Sequence, residues 1–442
     1  MGVGLINPLY RLLSRIWIAL YVKICRLSKK KIETSRKTLM ASKNPVIKIK
    51  TGRDWQLKRG HPWLFSGGLQ QPPRDIAPGT VVDLVDAAGE FVGRGYYNPK
   101  TDIAVRLLTR QDEAVDRNFF RKRVQAAWDL RQQALDLSKT DVFRLIHAEG
   151  DFLPGVIADY YAGVIVLQSH TAGIDLLLEP LAAALEEVVQ PKAILLRTDV
   201  AVRSREGLQK NEPRLLMGEI PPGLQVQENG LRFKIDPLKG QKTGFFTDQR
   251  DKRQALYRYA RPLAEGATMA NLFSYTAGFS VYATSAQPGL KTINVDQSAA
   301  ALEQGRQNFE LNGIPTAGHV FETADAFKWL EAETARKGQH EIVILDPPAF
   351  AKTHREKDKA LVGYTRLNRL GLPLVKSGGL LITCSCSGSV SMAEFENSVR
   401  EAAAQTGRSL QVLEIFENGA DHPWSLIAPE SRYLKVLFCR VI

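Results

Sequence analysis

Two short segments in the last quarter of the chain carry residue types that could do chemistry together. One is Thr383-Cys384-Ser385-Cys386-Ser387-Gly388 and the other is Leu345-Asp346-Pro347-Pro348-Ala349-Phe350, each closing an apolar run that reads as a strand. Side chains alternate along a strand, so Cys384 and Cys386 share a face, with Cys386 nearer the open end. A thiolate at Cys386 could act as a nucleophile. The plainer role, a small buried filler, is the one expected for Cys384 and Cys439. No further Cys and no close His pair completes a metal site, so no metal is expected. In the second segment two prolines remove two N–H donors and fix the backbone, which would hold Asp346 toward a cleft. Asp346 and the carbonyl beside it suit the amino edge of a nucleobase. Pro347 and Pro348 would line the substrate side and Phe350 would stack on the base. The plainer alternative is a rigid turn.

A third segment, Asn271-Leu272-Phe273-Ser274-Tyr275-Thr276-Ala277-Gly278-Phe279-Ser280, follows a strand and opens a helix. Such a turn can turn backbone N–H groups and a helix N-terminus toward a ligand carboxylate. Asn271, Phe273, Tyr275, Thr276 and Gly278 are the candidates there. One glycine in place of three serves a pyrophosphate poorly. Asp296 ends the next strand, where an acid can accept both hydroxyls of a ribose. Asp325, after the strand beyond, could accept from an adenine amino group. Either acid could equally be a helix N-cap. Their recurrence at successive strand ends favours the ligand reading.

The elements that must position these residues are legible in the rhythm of the chain. From Asp236 onward, strands at 268–272, 292–296, 319–322, 342–346 and 380–384 alternate with helical segments, the pattern of a parallel doubly wound sheet. Two final strands, 411–416 and 433–441, form an antiparallel pair. That ending fits a class I methyltransferase better than a dehydrogenase. Before it, residues 44–117 read as short strands split by turn signals, a small β-barrel. Within them Arg59-Gly60-His61-Pro62-Trp63-Leu64-Phe65-Ser66-Gly67 reads as a basic, aromatic loop. Residues 118–236 read as an α+β domain with an Asn118-capped helix to Leu137, a helix at 174–189 and a closing hairpin at 223–236. The α/β domain then spans 237–442.

Composition bounds the function classes. With 44% apolar and 24% charged residues among 442, a disordered chain, a collagen and a polytopic membrane protein are excluded. Four cysteines (Cys25, Cys384, Cys386 and Cys439) are too few and too scattered for a secreted disulfide framework, so a reducing cytoplasm is the default. Of the net charge of +12, +9 falls in residues 1–43, a basic tail read as disordered or as a mis-called start. Bulk charge therefore says little about the folded part.

Taken together, these segments resemble the ribosomal RNA large subunit methyltransferase I family, over nearly the whole chain after residue 45. The resemblance rests on Arg59-Gly60-His61-Pro62-Trp63, Ser204-Arg205-Glu206-Gly207, Lys242-Thr243-Gly244-Phe245-Phe246-Thr247-Asp248-Gln249-Arg250, Asp346-Pro347-Pro348 and Ser385-Cys386-Ser387-Gly388. It implies a PUA-like RNA-binding barrel at 44–117, with Arg59, His61 and Trp63 on RNA. It implies S-adenosyl-L-methionine as cofactor, with Asp248 and Gln249 contacting it, while Arg250 and Lys252 meet cofactor or RNA phosphate. The implied reaction is 5-methylcytosine formation in 23S ribosomal RNA, free or in an assembling large subunit. Cys386 would add to carbon 6 of the base and Asp346 would hold ring nitrogen 3 and the amino group. His422 is a candidate for the base that removes the carbon 5 proton, the plainer role being a structural histidine. The competing readings are an N-methyltransferase acting on an RNA purine, in which Cys386 is idle, and a non-catalytic RNA-binding assembly factor. No stable membrane partner is expected, and the oligomeric state stays open, a homodimer included.

Overall fold

The computed structural model describes residues 44–71, 75–351 and 353–442, so the basic tail 1–43 lies outside the described residues. The first sheet holds β1 (Val46–Lys48), β2 (Trp63–Phe65), β3 (Val81–Val85), β4 (Phe91–Tyr97) and β5 (Ile103–Thr109) in the order β1-β3-β4-β5-β2. Val82, Leu84 and Leu107 point inward at alternating positions, as the period-2 pattern requires. Residues 59–67 are not a plain loop. A helical turn, Trp55–Lys58, leads into β2, because Leu64 between two aromatics makes an alternating triplet that buries one face against β5.

The middle sheet runs β10-β9-β8-β7-β6, from β6 (Val142–His147), β7 (Val156–Tyr161), β8 (Val164–Ser169), β9 (Ala193–Leu196) and β10 (Arg214–Gly218). The helix Arg117–Ala134 is capped by Asp116, not Asn118: the Asp116 carboxylate accepts the Phe119 N–H at 3.0 Å. The expected helix at 174–189 is two, Ala172–Leu176 and Leu178–Val189, broken where Leu177 leaves helical geometry. The hairpin, β11 (Gln225–Glu228) and β12 (Leu231–Lys234), does not close this sheet. It forms its own two-stranded sheet, and Val226 and Phe233 are buried between the middle sheet and the C-terminal domain. Phe233 touches both Phe245 and Tyr282, and that apolar demand on either side is what pulls the hairpin into the joint. The middle sheet is thus covered on both faces, which explains the unbroken apolar runs of β8 and β9.

The C-terminal sheet comprises β13 (Thr268–Leu272), β14 (Lys291–Asp296), β15 (Val320–Thr323), β16 (His340–Leu345), β17 (Val375–Ser385), β18 (Leu410–Phe416) and β19 (Lys435–Val441). Its order is β15-β14-β13-β16-β17-β19-β18. The first five strands are parallel, and β19 is antiparallel to both β17 and β18. Ile342 to Leu345 are all buried, each worth ~1.5–3 kcal/mol of transfer free energy. The strand order reverses between β13 and β16, so a crevice opens at their carboxyl ends. No helix among the described residues is long and apolar enough to cross a membrane.

Buried ion pairs set how the sheets meet. Arg131 pairs with Asp151 and donates to the Asp421 carbonyl at 2.8 Å, while the Asp421 carboxylate takes Arg250 and the Arg144 backbone N–H. Arg253 pairs with Glu228 of the hairpin at 2.7 Å. Asp159 of β7 accepts from the Thr243 hydroxyl at 2.5 Å, so the middle sheet grips the segment that enters the site from Lys242.

Candidate active site

The crevice is a cleft of about 1010 Å³. Its first wall is the turn after β13. Phe273, Tyr275 and Ala277 there have φ of +59°, +48° and +58°, a left-handed backbone that costs non-glycine residues of order 1–3 kcal/mol each. The turn is held by the Ser274 N–H on the Val295 carbonyl (3.0 Å), the Ala277 N–H on the Ser274 carbonyl (2.8 Å) and the Tyr275 N–H on Asp296 Oδ2 (2.9 Å). Asp296 Oδ1 takes the Ser298 N–H at 2.9 Å. Each carboxylate oxygen keeps lone-pair capacity on the cleft side, which suits a pair of vicinal hydroxyls.

Phe273, Tyr275, Thr276, Gly278 and Asp296 line the cleft as expected, and two candidates do not. Asn271 lies beneath the turn, where its amide donates to Ser280 Oγ at 3.0 Å and helps to seat the helix Gly278–Ala286. Asp325 caps the helix Ala326–Ala335, accepting the Lys328 N–H at 3.0 Å and the Gln297 amide at 2.9 Å. Gln297 lines the cleft in its stead.

The second wall brings Asp248, Gln249, Asp346, Pro347, Pro348 and Cys386 together. Cys386 Sγ lies 3.7 Å from the Pro347 carbonyl oxygen, so thiol and Asp-Pro-Pro turn share one end of the cleft. Burial pushes the Cys386 thiol up to about 11; Lys242 pulls the other way, and Asp346 and Asp248 add to the rise. The protein therefore rests with a thiol there. Burial and the charge of Asp248 together raise the Asp346 carboxyl to about 6, while Gln249 Nε2 donates to its Oδ2 at 2.9 Å. Burial opposes ionisation of Asp248 as well, but Lys242 at 2.9 Å, the nearby His422 and the Tyr433 hydroxyl at 2.6 Å hold that carboxyl far below its usual range. Two adjacent carboxyls are thus pushed apart, one firmly ionised and one titrating near neutrality.

Phe350 is not available to stack on a base. Its ring centroid lies 4.7 Å from that of Tyr364, under the helix Lys357–Gly371, where a Cβ on Gly363 would come within 3.0 Å of it. His422 is fully buried beside Asp421, its ring tilted 58° to that of His147 at 5.1 Å, and it lies outside the cleft lining, so the structure does not bring this candidate base into the site. Tyr433 lines the cleft, and buried Lys435 stands behind Cys386. Neither was foreseen, although a lysine directly before the apolar run Val436–Cys439 was a usable signal.

The residues expected on RNA are largely tied up within the protein. Trp63 Nε1 donates to Glu149 at 2.9 Å, His61 Nε2 lies 3.4 Å from Glu430, and Gly60 abuts Ile427. This segment therefore docks the barrel on the rest of the chain. Arg59 stacks on the half-exposed Trp55 at 5.3 Å and remains at the surface. Arg250, Lys252 and Arg253 are buried, in the Asp421 pair, in carbonyl contacts from Asp248 and Glu417, and in the Glu228 pair. Arg250 and Lys252 lie outside the cleft lining, whereas Arg253 lines it.

Comparison with known proteins agrees with this architecture. Residues 47–110 match the PUA-like domain family, and residues 144–439 match the S-adenosylmethionine-dependent methyltransferase family. The chain is 38% identical over 392 residues to ribosomal RNA large subunit methyltransferase I of Erwinia tasmaniensis, covering 88% of this chain and 98% of that one. To the Vibrio cholerae protein of the same name it is 37% identical over 402 residues, covering 90% and 100%. The chain belongs to the ribosomal RNA large subunit methyltransferase I family. A solved chain from Streptococcus mutans, assigned to the S-adenosylmethionine-dependent methyltransferases, shares the fold with a TM-score of 0.76 at 24% identity, over 90% of this chain and all of that one.

The residues of the cleft fit the family's cofactor, S-adenosylmethionine. Asp296 is poised for ribose hydroxyls. Ser274 Oγ, Asp248 Oδ1 and Gln249 Oε1 are buried cleft-lining atoms with no partner of their own, a set able to take an ammonium and a carboxylate. The helix N-terminus at Gly278 adds positive potential beside them. When bound, the cofactor supplies an electrophilic methyl group on a sulfonium.

Proposed function

We propose that this family member methylates carbon 5 of a cytosine in large-subunit ribosomal RNA, through a covalent adduct on Cys386. The observation that carries the reading is the shared place of the Cys386 thiol and the Asp346-Pro347-Pro348 turn at one end of the cofactor cleft. Carbon 5 of cytosine is too weak a nucleophile to take a methyl group unaided. In this reading the Cys386 sulfur gives an electron pair to carbon 6, and the 5,6 double bond becomes the enamine pair at carbon 5. Negative charge that would gather on ring nitrogen 3 is met by a proton from Asp346, whose carboxyl, raised to about 6, is partly protonated near neutrality. Carbon 5 then accepts the methyl group. A base or solvent then takes the carbon 5 proton, the Cys386 thiolate leaves as the 5,6 double bond re-forms, and the proton on ring nitrogen 3 returns to the Asp346 carboxylate. Residues 44–117 and 118–236 would present the RNA, and 237–442 would carry the transfer.

A large-subunit RNA transcript containing 5-fluorocytidine tests the reading, because fluorine at carbon 5 blocks the final elimination. The expected result is a denaturant-stable protein–RNA complex with the wild type and none with Cys386→Ala. No complex with either, alongside methylation of a purine in unsubstituted RNA, would favour an N-methyltransferase.

A further inference from the structure

Lys435 opens β19, and only 3% of it is exposed. Its ammonium donates to the Ser387 carbonyl at 2.6 Å and the Tyr433 carbonyl at 2.8 Å. Among the described residues no carboxylate lies within 4.0 Å of it. That is an expensive arrangement, since buried ammonium groups are ordinarily paired with an anion. Lys242, the other cation near Cys386, differs: it is partly exposed and already paired with Asp248. Ser387 directly follows Cys386, and its hydroxyl is pinned by the Ala351 N–H at 3.1 Å and the Tyr364 hydroxyl at 2.8 Å. The carbonyl that holds Lys435 therefore belongs to the residue that carries the thiol's strand end. Lys435 and Cys386 sense each other's charge, in both directions.

We propose that Lys435 is a positioning residue for methyl transfer, its buried ammonium serving as the counter-ion of the Cys386 thiolate. The proposal rests on the reading of Cys386 as nucleophile and explains how a thiol in a closed, carboxylate-rich cleft becomes usable. In the resting protein the lysine lacks an anion and the cysteine is a thiol. Ionisation of the thiol supplies the missing partner, and the proton leaves to solvent. The same contacts also fix the Cys386 strand end to β19, so a purely structural role must be separated from an electrostatic one.

Iodoacetamide alkylation of Cys386 across pH separates them, read by peptide mass spectrometry with Cys386→Ala as background. Groups facing Cys386 besides Lys435 are Lys242 and Asp248 on the approach segment, Asp346 after β16, Cys384 on its own strand, Tyr364 on the adjoining helix, and Tyr433. Those facing Lys435 besides Cys386 are Glu417, Arg432 and Glu394. All remain in the variants. Lys435→Gln is expected to slow alkylation at pH 7.5 about tenfold and to raise its midpoint by about one pH unit. Lys435→Arg keeps the charge and the alkylation rate at pH 7.5 to within about threefold. It also keeps a unit slope of log rate above pH 8, where the wild type flattens as burial draws the lysine down to about 8. The arginine comparison stands even if the glutamine variant does not fold. Superimposable profiles for wild type and Lys435→Arg above pH 8, or an unshifted midpoint in folded Lys435→Gln, would overturn the proposal. Either result with an inactive Cys386→Ala would overturn it alone, whereas a fully active Cys386→Ala would overturn the nucleophile reading as well.

Discussion

If Asp346 acts as a proton donor, the pH dependence of kcat/KM has an unusual shape. The account requires Asp346 protonated and Cys386 ionised at once, with values of about 6 and about 11 in the free protein. The acid is needed above its own value and the thiolate below its own, so the competent form is about one molecule in 10⁵. Its share is constant between the two values, because each pH unit gains tenfold in thiolate and loses tenfold in carboxylic acid. The expected profile is flat from about pH 6 to 8 and falls about tenfold per unit below 6. If Asp346 only accepted a hydrogen bond as an anion, the rate would instead climb tenfold per unit from 6 upward and fall a hundredfold per unit below. Initial rates of radiolabelled methyl transfer to large-subunit RNA, at limiting RNA from pH 5 to 8, distinguish the two. Asp346→Asn should lose about 10²–10⁴ in rate at pH 7 and show unit slope across the range. A wild-type unit slope between pH 6.5 and 8 would refute the donor role.

Other perturbations follow from the same geometry. The Asp346 carboxyl is raised in the fold, so its contribution to stability is complete below about pH 4 and is lost as pH rises through about 6. Asp346→Asn is therefore expected to stabilise the protein at pH 7.5, by at most about 3 kcal/mol, and to leave it unchanged at pH 3.5, as read by urea unfolding. Asp421→Asn strips Arg250 of its buried partner and weakens the joint to Arg144, and should cost ~3–5 kcal/mol in the same assay. Asp296→Asn exchanges an anionic acceptor for an amide that accepts with only one atom. Calorimetry should show cofactor affinity lowered roughly tenfold or more, and because either the Tyr275 or the Ser298 N–H loses its acceptor, urea unfolding should show a loss of ~1–3 kcal/mol as well.

The strand-end residues were legible in the sequence because their signal is local. Asp296, Asp346 and Cys386 each stand at the carboxyl end of a strand, and the topology of a doubly wound sheet brings all such ends to one edge. Asp325 also follows a strand, but its own helix offers it an N–H three residues on, and that local bond decided its role. Phe350 and the 59–63 segment depended on packing partners remote in sequence. Tyr364 draws Phe350 inward, and Glu149 and Glu430 draw Trp63 and His61 away from solvent. Arg250 and Lys252 were expected on cofactor or RNA phosphate because charge alone does not disclose a buried partner, and theirs lie as far off in sequence as Asp421 and Glu417. Tyr433 and Lys435 reach the site from the antiparallel strand inserted last, and no spacing rule links that strand to Cys386.

The central claim is that Cys386 performs covalent catalysis on an RNA cytosine. Nucleoside mass spectrometry of unmodified large-subunit RNA, incubated with S-adenosylmethionine and either wild-type protein or Cys386→Ala, tests it most directly. The expected product is 5-methylcytidine with the wild type and none with the variant, whose cofactor affinity stays within about threefold. Equal 5-methylcytidine from both proteins, or a methylated purine in its place, would contradict it.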